Sequence, residues 1–251
     1  MVAALAVLGA DGWWLLHKRE SAKQPPPPAL LADAVSQTAS LTSAQANFST
    51  QVAGITTVFG HVSEQLKPDR VTLTMTTIDG ADRFSVAEVV TDSAVYLRAP
   101  GLASGVGKPW ISMPLAGLSA DPALVSLYQT EAIPSADAAL LGTAASVRPA
   151  GTGIIDGDRT IRYVGTIDPA TALRRLPPAV RKLLAPELMT VTGDIRYVVW
   201  IDRLHNVRKI QTTATMAGLS TVTTVVVKAL NPLVHITVPD SSLVSGLTEA
   251  S

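Results

Sequence analysis

Three long β-patterned runs fill the last third of the chain, joined by connections too short for anything but hairpins. Asp194–Asp202, Val207–Ala217 and Ser220–Leu230 are rich in Val, Ile, Thr and aromatic residues, with only a few residues between one run and the next. A parallel pair needs a long crossover, so these runs must form an antiparallel meander. The same alternation stands upstream in Arg70–Ile78 (RVTLTMTTI), with Val71, Leu73 and Met75 on one face and Thr72, Thr74 and Thr76 on the other. Asp79-Gly80 marks a turn after it. Arg83–Thr91 and Ala94–Ala99 follow as strands on either side of Asp92-Ser93. Pro109–Met113, Thr160–Ile167 after Asp156-Gly157, and an edge strand at Val234–Val238 complete the expected set.

Helical spacing appears in separate places. Leu30, Leu31, Ala34, Val35, Ala39 and Leu41 form one stripe. Asp121 can cap a helix with Pro122 in its first turn and Leu124, Val125 and Tyr128 on one face. Ser135 can start a short helix that Gly142 stops. Asp168-Pro169 opens another, which Pro177-Pro178 must break or restart and whose second piece Pro186 ends. No strand–helix–strand alternation is visible. The expected fold class is α+β, a curved antiparallel sheet with helices on one face.

Residues 2–16 are apolar apart from Asp11, and His17, Lys18, Arg19 and Glu20 follow at once. A bilayer span takes about 20 apolar residues, so the run is short for a transmembrane helix, although Trp13 and Trp14 stand where interfacial aromatics belong. One reading is a hydrophobic N-terminus on a soluble protein. The expected reading is a signal-anchor whose basic leader lies upstream of the given start, with the rest of the chain outside the cytoplasm. Four prolines, Pro25 to Pro28, favour a stiff polyproline II spacer. The chain thus divides into an apolar anchor or truncated signal (1–16), a charged and Pro-rich linker (17–28) and a folded domain (29–251).

Familiar chemistry is missing from that domain. There is no cysteine, so disulfides, Cys-type zinc sites and thiol catalysis are excluded. Twenty basic residues balance twenty acidic ones, which leaves no net basic charge to steer nucleic acid. Gly101–Lys108 (GLASGVGK) lacks the first glycine of a phosphate loop, having Leu102 there, and Pro109 replaces its Ser or Thr. Gly151-Thr152-Gly153 lacks the third glycine of a dinucleotide turn, and no G-x-S-x-G elbow exists. His17, His61, His205 and His235 are isolated from one another in sequence, with His205 in a turn. Asp79, Asp82, Asp92, Asp156 and Asp158 are turn residues. Asn47-Phe48-Ser49 fits a glycosylation sequon, a pattern common by chance. No catalytic residue, metal ligand set or cofactor is expected, and the chain does not read as an enzyme.

One feature remains. On Asp194–Asp202 both faces are largely apolar, with Ile195, Tyr197, Val199 and Ile201 on one and Val198 and Trp200 on the other. A sheet covered on both sides explains this, and so does a face that lines an apolar ligand cavity. From periodicity alone a plain two-layer core is the simpler reading.

Several segments resemble a known family in order along the chain. Ala94–Met113 (AVYLRAPGLASGVGKPWISM) resembles a strand, loop and G-K-P-W strand of the LppX/LprG-like lipoproteins of the actinobacterial envelope. Ile155–Asp168 (IDGDRTIRYVGTID), Trp200–Asp202 with Val207-Arg208, and Asn231–Pro239 are similar to further stretches of that family. The resemblance spans about residues 30–240 and implies a LolA-like half-barrel, a strongly curved antiparallel sheet with helices over its concave side. It further implies an apolar cavity for the acyl chains of lipids or glycolipids, which family members carry or present. The family is acylated on a cysteine that this sequence does not have, so membrane attachment falls to the N-terminal segment or does not occur. On this reading Leu73, Met75, Val95, Leu97, Trp110, Leu173, Leu176, Leu183, Val199 and Met216 are candidate cavity residues. Arg174, Arg175, Arg181 and Lys182 are candidates for a rim that meets anionic headgroups. The expected function is non-enzymatic lipid binding by a membrane-anchored extracytoplasmic domain, as carrier or sensor. The alternative is a structural or regulatory ectodomain with a filled core, acting through protein contacts. No oligomeric state follows from either.

Overall fold

A computed structural model describes residues 27–66, 69–100, 107–114 and 134–246. Four helices and twelve strands occur among them. Helix α1 (Pro27–Ala39) leads into β1 (Ser43–Val52), β2 (Thr56–Leu66), β3 (Asp69–Asp79), β4 (Asp82–Val90), β5 (Ala94–Arg98) and β6 (Trp110–Pro114). After α2 (Pro134–Leu141) come β7 (Ser146–Ile155) and β8 (Asp158–Ile167), then α3 (Pro169–Arg175) and α4 (Pro178–Leu188). The chain ends its described part with β9 (Val191–Asp202), β10 (Val207–Met216), β11 (Leu219–Leu230) and a short β12 (Val244–Gly246).

All twelve strands form one curved sheet in the order β12-β6-β5-β4-β3-β2-β1-β11-β10-β9-β8-β7. Two meanders build it. One walks outward from β1 to β6, the other returns from the edge strand β7 to β11, and the antiparallel pair β1–β11 joins them. Only β12 adds in parallel, beside β6. The sheet is not closed, since β7 and β12 are its edges.

Side chains alternate between the faces with period two, so the registers decide what is buried. Phe48 pairs with Val225 on one side and Gly60 on the other; Leu73 pairs with Val62 and Glu88. These residues share one face, and the same phase carries Val71, Met75, Tyr163, Tyr197, Val199 and Ile210. All four helices bury their apolar sides in the cluster on this face, with Leu30 and Leu31 from α1, Leu140 and Leu141 from α2, Leu176 beside α3 and Leu188 from α4. The opposite face is built largely of Thr, Ser, Gln and Asn on β1 to β3, with Val198 and Trp200 half-buried on β9.

Local chemistry sets the helix limits. The Asp168 carboxylate accepts from the Thr171 N–H at 2.7 Å, which satisfies one of the free donors of α3, and Pro169 sits at the first helical position. These bonds to its ionised form hold the Asp168 pKa below the usual range. The helix stops before Pro177-Pro178, because a residue preceding proline avoids helical backbone.

Several expectations need correction. Helix α4 does not end at Pro186 but runs to Leu188; proline removes only its own N–H, and the Met189 N–H still closes the last turn on the Ala185 carbonyl at 3.0 Å. Pro27 and Pro28 lie in the first turn of α1 rather than in an extended spacer, a position where proline loses no hydrogen bond. Val234–Val238 is no strand. Side chains hold it instead: Gln65 accepts from the Ile236 N–H at 3.1 Å, Arg70 donates to the Ile236 carbonyl at 2.8 Å, and β12 takes the edge of β6. Strands β1 and β7 add to the expected set, as does the full extent of β2 on either side of the strand residue His61. The Asp121 helix and the apolar run at 2–16 lie outside the described residues. Among the described residues no helix is long and apolar enough to cross a membrane.

Candidate functional site

The buried face of the sheet brings most of the candidate cavity residues together. Leu73, Met75 and Val199 are buried in the main cluster with Leu176, and Leu173 packs against its border. Val95 and Leu97 lie on the same face farther along the sheet, in a smaller cluster with Met113, and Val86 and Val90 touch both clusters. Among the described residues that smaller cluster consists of strand residues alone. Met216 lines a cleft at the other end of the face.

Other candidates are elsewhere. Trp110 is on the opposite face, because Ile111 and Met113 of β6 are the residues that pair with Leu97 and Val95 and point inward. Its ring lies under the Arg98 guanidinium, 5.1 Å from the ring centre. The rim candidates do not converge on the face. Arg174 is exposed and donates to the Thr171 hydroxyl at 2.8 Å, Arg175 is exposed, and Arg181 donates to the Leu176 carbonyl at 3.0 Å. Arg174 is thus held on its own helix, and Arg181 of α4 caps the C-terminal end of α3. The side chains of Lys182 and Leu183 lie outside the described residues.

Buried carboxyls were missed by the sequence reading. Glu64 on β2 and Glu88 on β4 are 2% and 1% exposed and occupy the inward phase of the sheet. The Glu64 carboxylate accepts from the hydroxyl of Ser135 and from the Ser135 N–H at 3.3 Å, and so caps the first turn of α2 across the core. Burial nevertheless dominates and pushes its pKa to about 7, with the Ser135 bonds pulling the other way. A charged residue in the inward phase of a strand is the signal that could have revealed it.

The cleft itself lies between α2, α4 and one end of β9 to β11. It holds about 40 Å³, room for roughly three waters at 10–15 Å³ each. Leu184, Leu188 and Met216 form its apolar walls, Thr212, Thr221 and Thr223 its floor, and Asp137 and Glu187 its acidic side. Burial, helped by Glu187 and Glu64, pushes the Asp137 carboxyl well above the usual carboxylate range.

On the outer face, Asn47 Oδ1, His61 and Ser63 form a chain, with His61 Nδ1 3.0 Å from Asn47 and Nε2 3.2 Å from the Ser63 hydroxyl. The order matches a nucleophile–base–orienter relay. Ser63, however, is 7% exposed and already accepts from Gln45 at 3.3 Å, so the chain serves as a cross-strand polar ladder.

No family model matches the sequence, and no curated protein matches it. Among solved structures, the Mycobacterium tuberculosis lipoprotein LppX is similar with a TM-score of 0.51 at 20% identity, covering 84% of this chain and 99% of that one. LprF from Mycobacterium bovis has a TM-score of 0.49 at 14% identity, covering 86% of this chain and 99% of its own. The curved sheet with its helices therefore has the LppX-like fold.

Proposed function

We propose that this chain is a non-enzymatic, membrane-anchored extracytoplasmic domain that holds an acyl chain of a lipid or glycolipid against the inward face of β4 to β6. The observation that carries this reading is the smaller cluster. Among the described residues Val95, Leu97 and Met113, with Val86 and Val90 beside them, form an apolar row of strand residues that stands apart from the main cluster shared by sheet and helices. On this reading the buried face is the concave one, and the N-terminal segment supplies the tether. The likeness in fold to the lipoprotein LppX supports the reading.

The test is organic extraction of the protein purified from its native membrane, followed by mass spectrometry, together with uptake of a fluorescent fatty-acid probe. Bound lipid and probe uptake are expected, and Leu97→Trp, which fills the row, should reduce uptake several-fold while the thermal transition stays cooperative. Consistent absence of lipid with no uptake would leave the filled-core ectodomain acting through protein contacts as the better account.

A further inference from the structure

Charge balances over the whole chain, twenty basic residues against twenty acidic, but not over the surface of the sheet. On the outer face of β7 to β10, four cations surround Val164, Val198 and Trp200. The registers place them. Arg162, Trp200 and Lys209 form one row across three strands, and Arg148, Val164 and Val198 form the next. Arg196 stands in the row beyond, paired with Thr166 and Thr213. Strand and residue spacing make this patch about 14 Å on a side. The three arginines are exposed, and Lys209 Nζ rests 4.6 Å from the centre of the half-buried Trp200 ring. Among the described residues none of the four cations pairs with a carboxylate. Arg162 Nε and Nη2 donate to the Ala150 carbonyl, which leaves the N–H groups of Nη1 unspent. The acids of the adjoining turns are committed elsewhere: Asp158 to Arg208 at 3.0 Å, Asp156 to Lys228 at 2.9 Å, and Asp202 to the N–H groups of Leu204 and Asn206. Asp194, two residues before Arg196 where the register shifts, is an exposed acid beside the patch.

We propose that this outer face docks on a bilayer surface of anionic phospholipid. Unpaired Lys and Arg side chains on a rigid sheet are drawn to such a surface, and each adds to the contact. The cations are spread over a broad area rather than gathered about one point, which suits many small headgroups better than one acidic side chain. Trp200 and the two valines put weakly hydrated surface between the charges, and tryptophan is at home at headgroup level. Helix α1 touches β7 and β10 from the inward side, so a chain tethered through its N-terminal segment enters the domain at these same strands. The inference takes its membrane setting from the proposed function and does not need the acyl-chain row on β4 to β6.

Spin labelling tests it. The sequence has no cysteine, so Thr213→Cys in the full chain takes a single nitroxide beside Arg196. Arg175→Cys takes one on α3, which packs on the inward face. Collisions of the label with a neutral, water-soluble nickel chelate then report which side meets lipid. Vesicles of phosphatidylcholine and phosphatidylglycerol in equal parts should shield the label at 213 several-fold and leave the label at 175 accessible. Phosphatidylcholine alone, with or without added inorganic phosphate, should shield neither. Shielding should vanish as KCl rises to about 0.5 M, where charges are screened within a few ångströms. In a lipid titration, Arg148→Gln with Arg196→Gln should weaken docking roughly 30-fold, the product of two cations near an anionic surface, while Arg174→Gln on α3 should leave it unchanged. Equal shielding at both positions, equal shielding by phosphatidylcholine, or undiminished docking by the R148Q/R196Q protein would overturn the proposal. Equal shielding by soluble poly-aspartate would overturn it too, in favour of an acidic protein partner. Lipid recovered by extraction, with no shielding of the label at 213, would refute this docking and leave the acyl-chain reading standing.

Discussion

Glu64 makes the stability of this fold depend on pH in an unusual direction. Its carboxyl is 2% exposed, and burial raises its pKa from an ordinary 4.5 to about 7 against the pull of two bonds from Ser135. Between those values the folded protein keeps a proton that the unfolded chain has released. Each pH unit in that window therefore favours unfolding. The contribution is fully present below 4.5 and is lost as the pH rises through about 7. At about 1.4 kcal/mol per pH unit the whole window is worth roughly 3 kcal/mol, an upper bound once water entry and side-chain relaxation are allowed. Glu64→Gln keeps the shape and still offers an acceptor to Ser135, but it never ionises. Urea unfolding followed by circular dichroism should find the two proteins within about 1 kcal/mol at pH 4.5, and E64Q the more stable by about 1–3 kcal/mol at pH 8. Other carboxyls titrate in both proteins and largely cancel in the difference. A difference that does not change with pH, or an E64Q that is the weaker protein at pH 8, would refute the reasoning.

Two further predictions concern the contact of β7, β8 and β9. A Cβ on Gly165 would stand 1.9 Å from the Ser146 carbonyl oxygen and 2.5 Å from the Tyr197 hydroxyl, so Gly165→Ala requires backbone movement of an edge strand and should cost upward of ~3 kcal/mol, read as a lowered Tm or insoluble expression. The Tyr197 hydroxyl donates to that same carbonyl at 3.1 Å, and Tyr197→Phe should cost about 1 kcal/mol in urea unfolding. Rescue of G165A by Y197F would locate the clash in the Tyr197 hydroxyl rather than the Ser146 backbone, contrary to the distances.

The sequence made β9 to β11 readable because these strands carry their own apolar phase. In β9 to β11 most inward positions up to the cleft are Val, Ile or Tyr, and the turns between them are short. Strands β1 and β2 do not have that phase. Ala44, Ala46, Thr50 and Gly60 share the inward positions with Phe48, Val58 and Val62, so small residues dilute the alternation. Their burial comes from neighbouring strands and α1, not from their own hydrophobicity. The turn joining them carries one glycine cue, Gly54 at φ 71°, but Ala53 before it also adopts a positive φ, 52°, where Gly or Asn is usual. Strand β7 is hidden differently. Pro149 and Gly151 read as a loop, yet both are tolerated on an edge strand whose register shifts between Pro149 and Thr152. The arginines beside α3 and α4 misled for a related reason. Sequence shows that basic residues stand near an apolar helix, but only geometry shows that the Arg181 guanidinium bends back to the Leu176 carbonyl.

Threonine links the low charge of this chain to its candidate sites. A charged residue in the inward phase needs a partner from another element, as Glu64 needs Ser135. A threonine in the same phase needs little: it keeps the branched Cβ that favours strands, and its hydroxyl can pair across the sheet, as Thr50 does with Thr223 at 3.1 Å. The sheet can therefore turn from apolar to polar along β10 and β11 without losing strand propensity or register. Valine at Thr212 and Thr223 would leave the backbone ladder as it is and remove only the polar floor. That is why one continuous face can offer an apolar row at β4 to β6 and a hydroxyl-floored cleft at β10 and β11. The chemistry of each end is set by side chains of nearly equal shape, which a hydrophobic pattern alone does not separate.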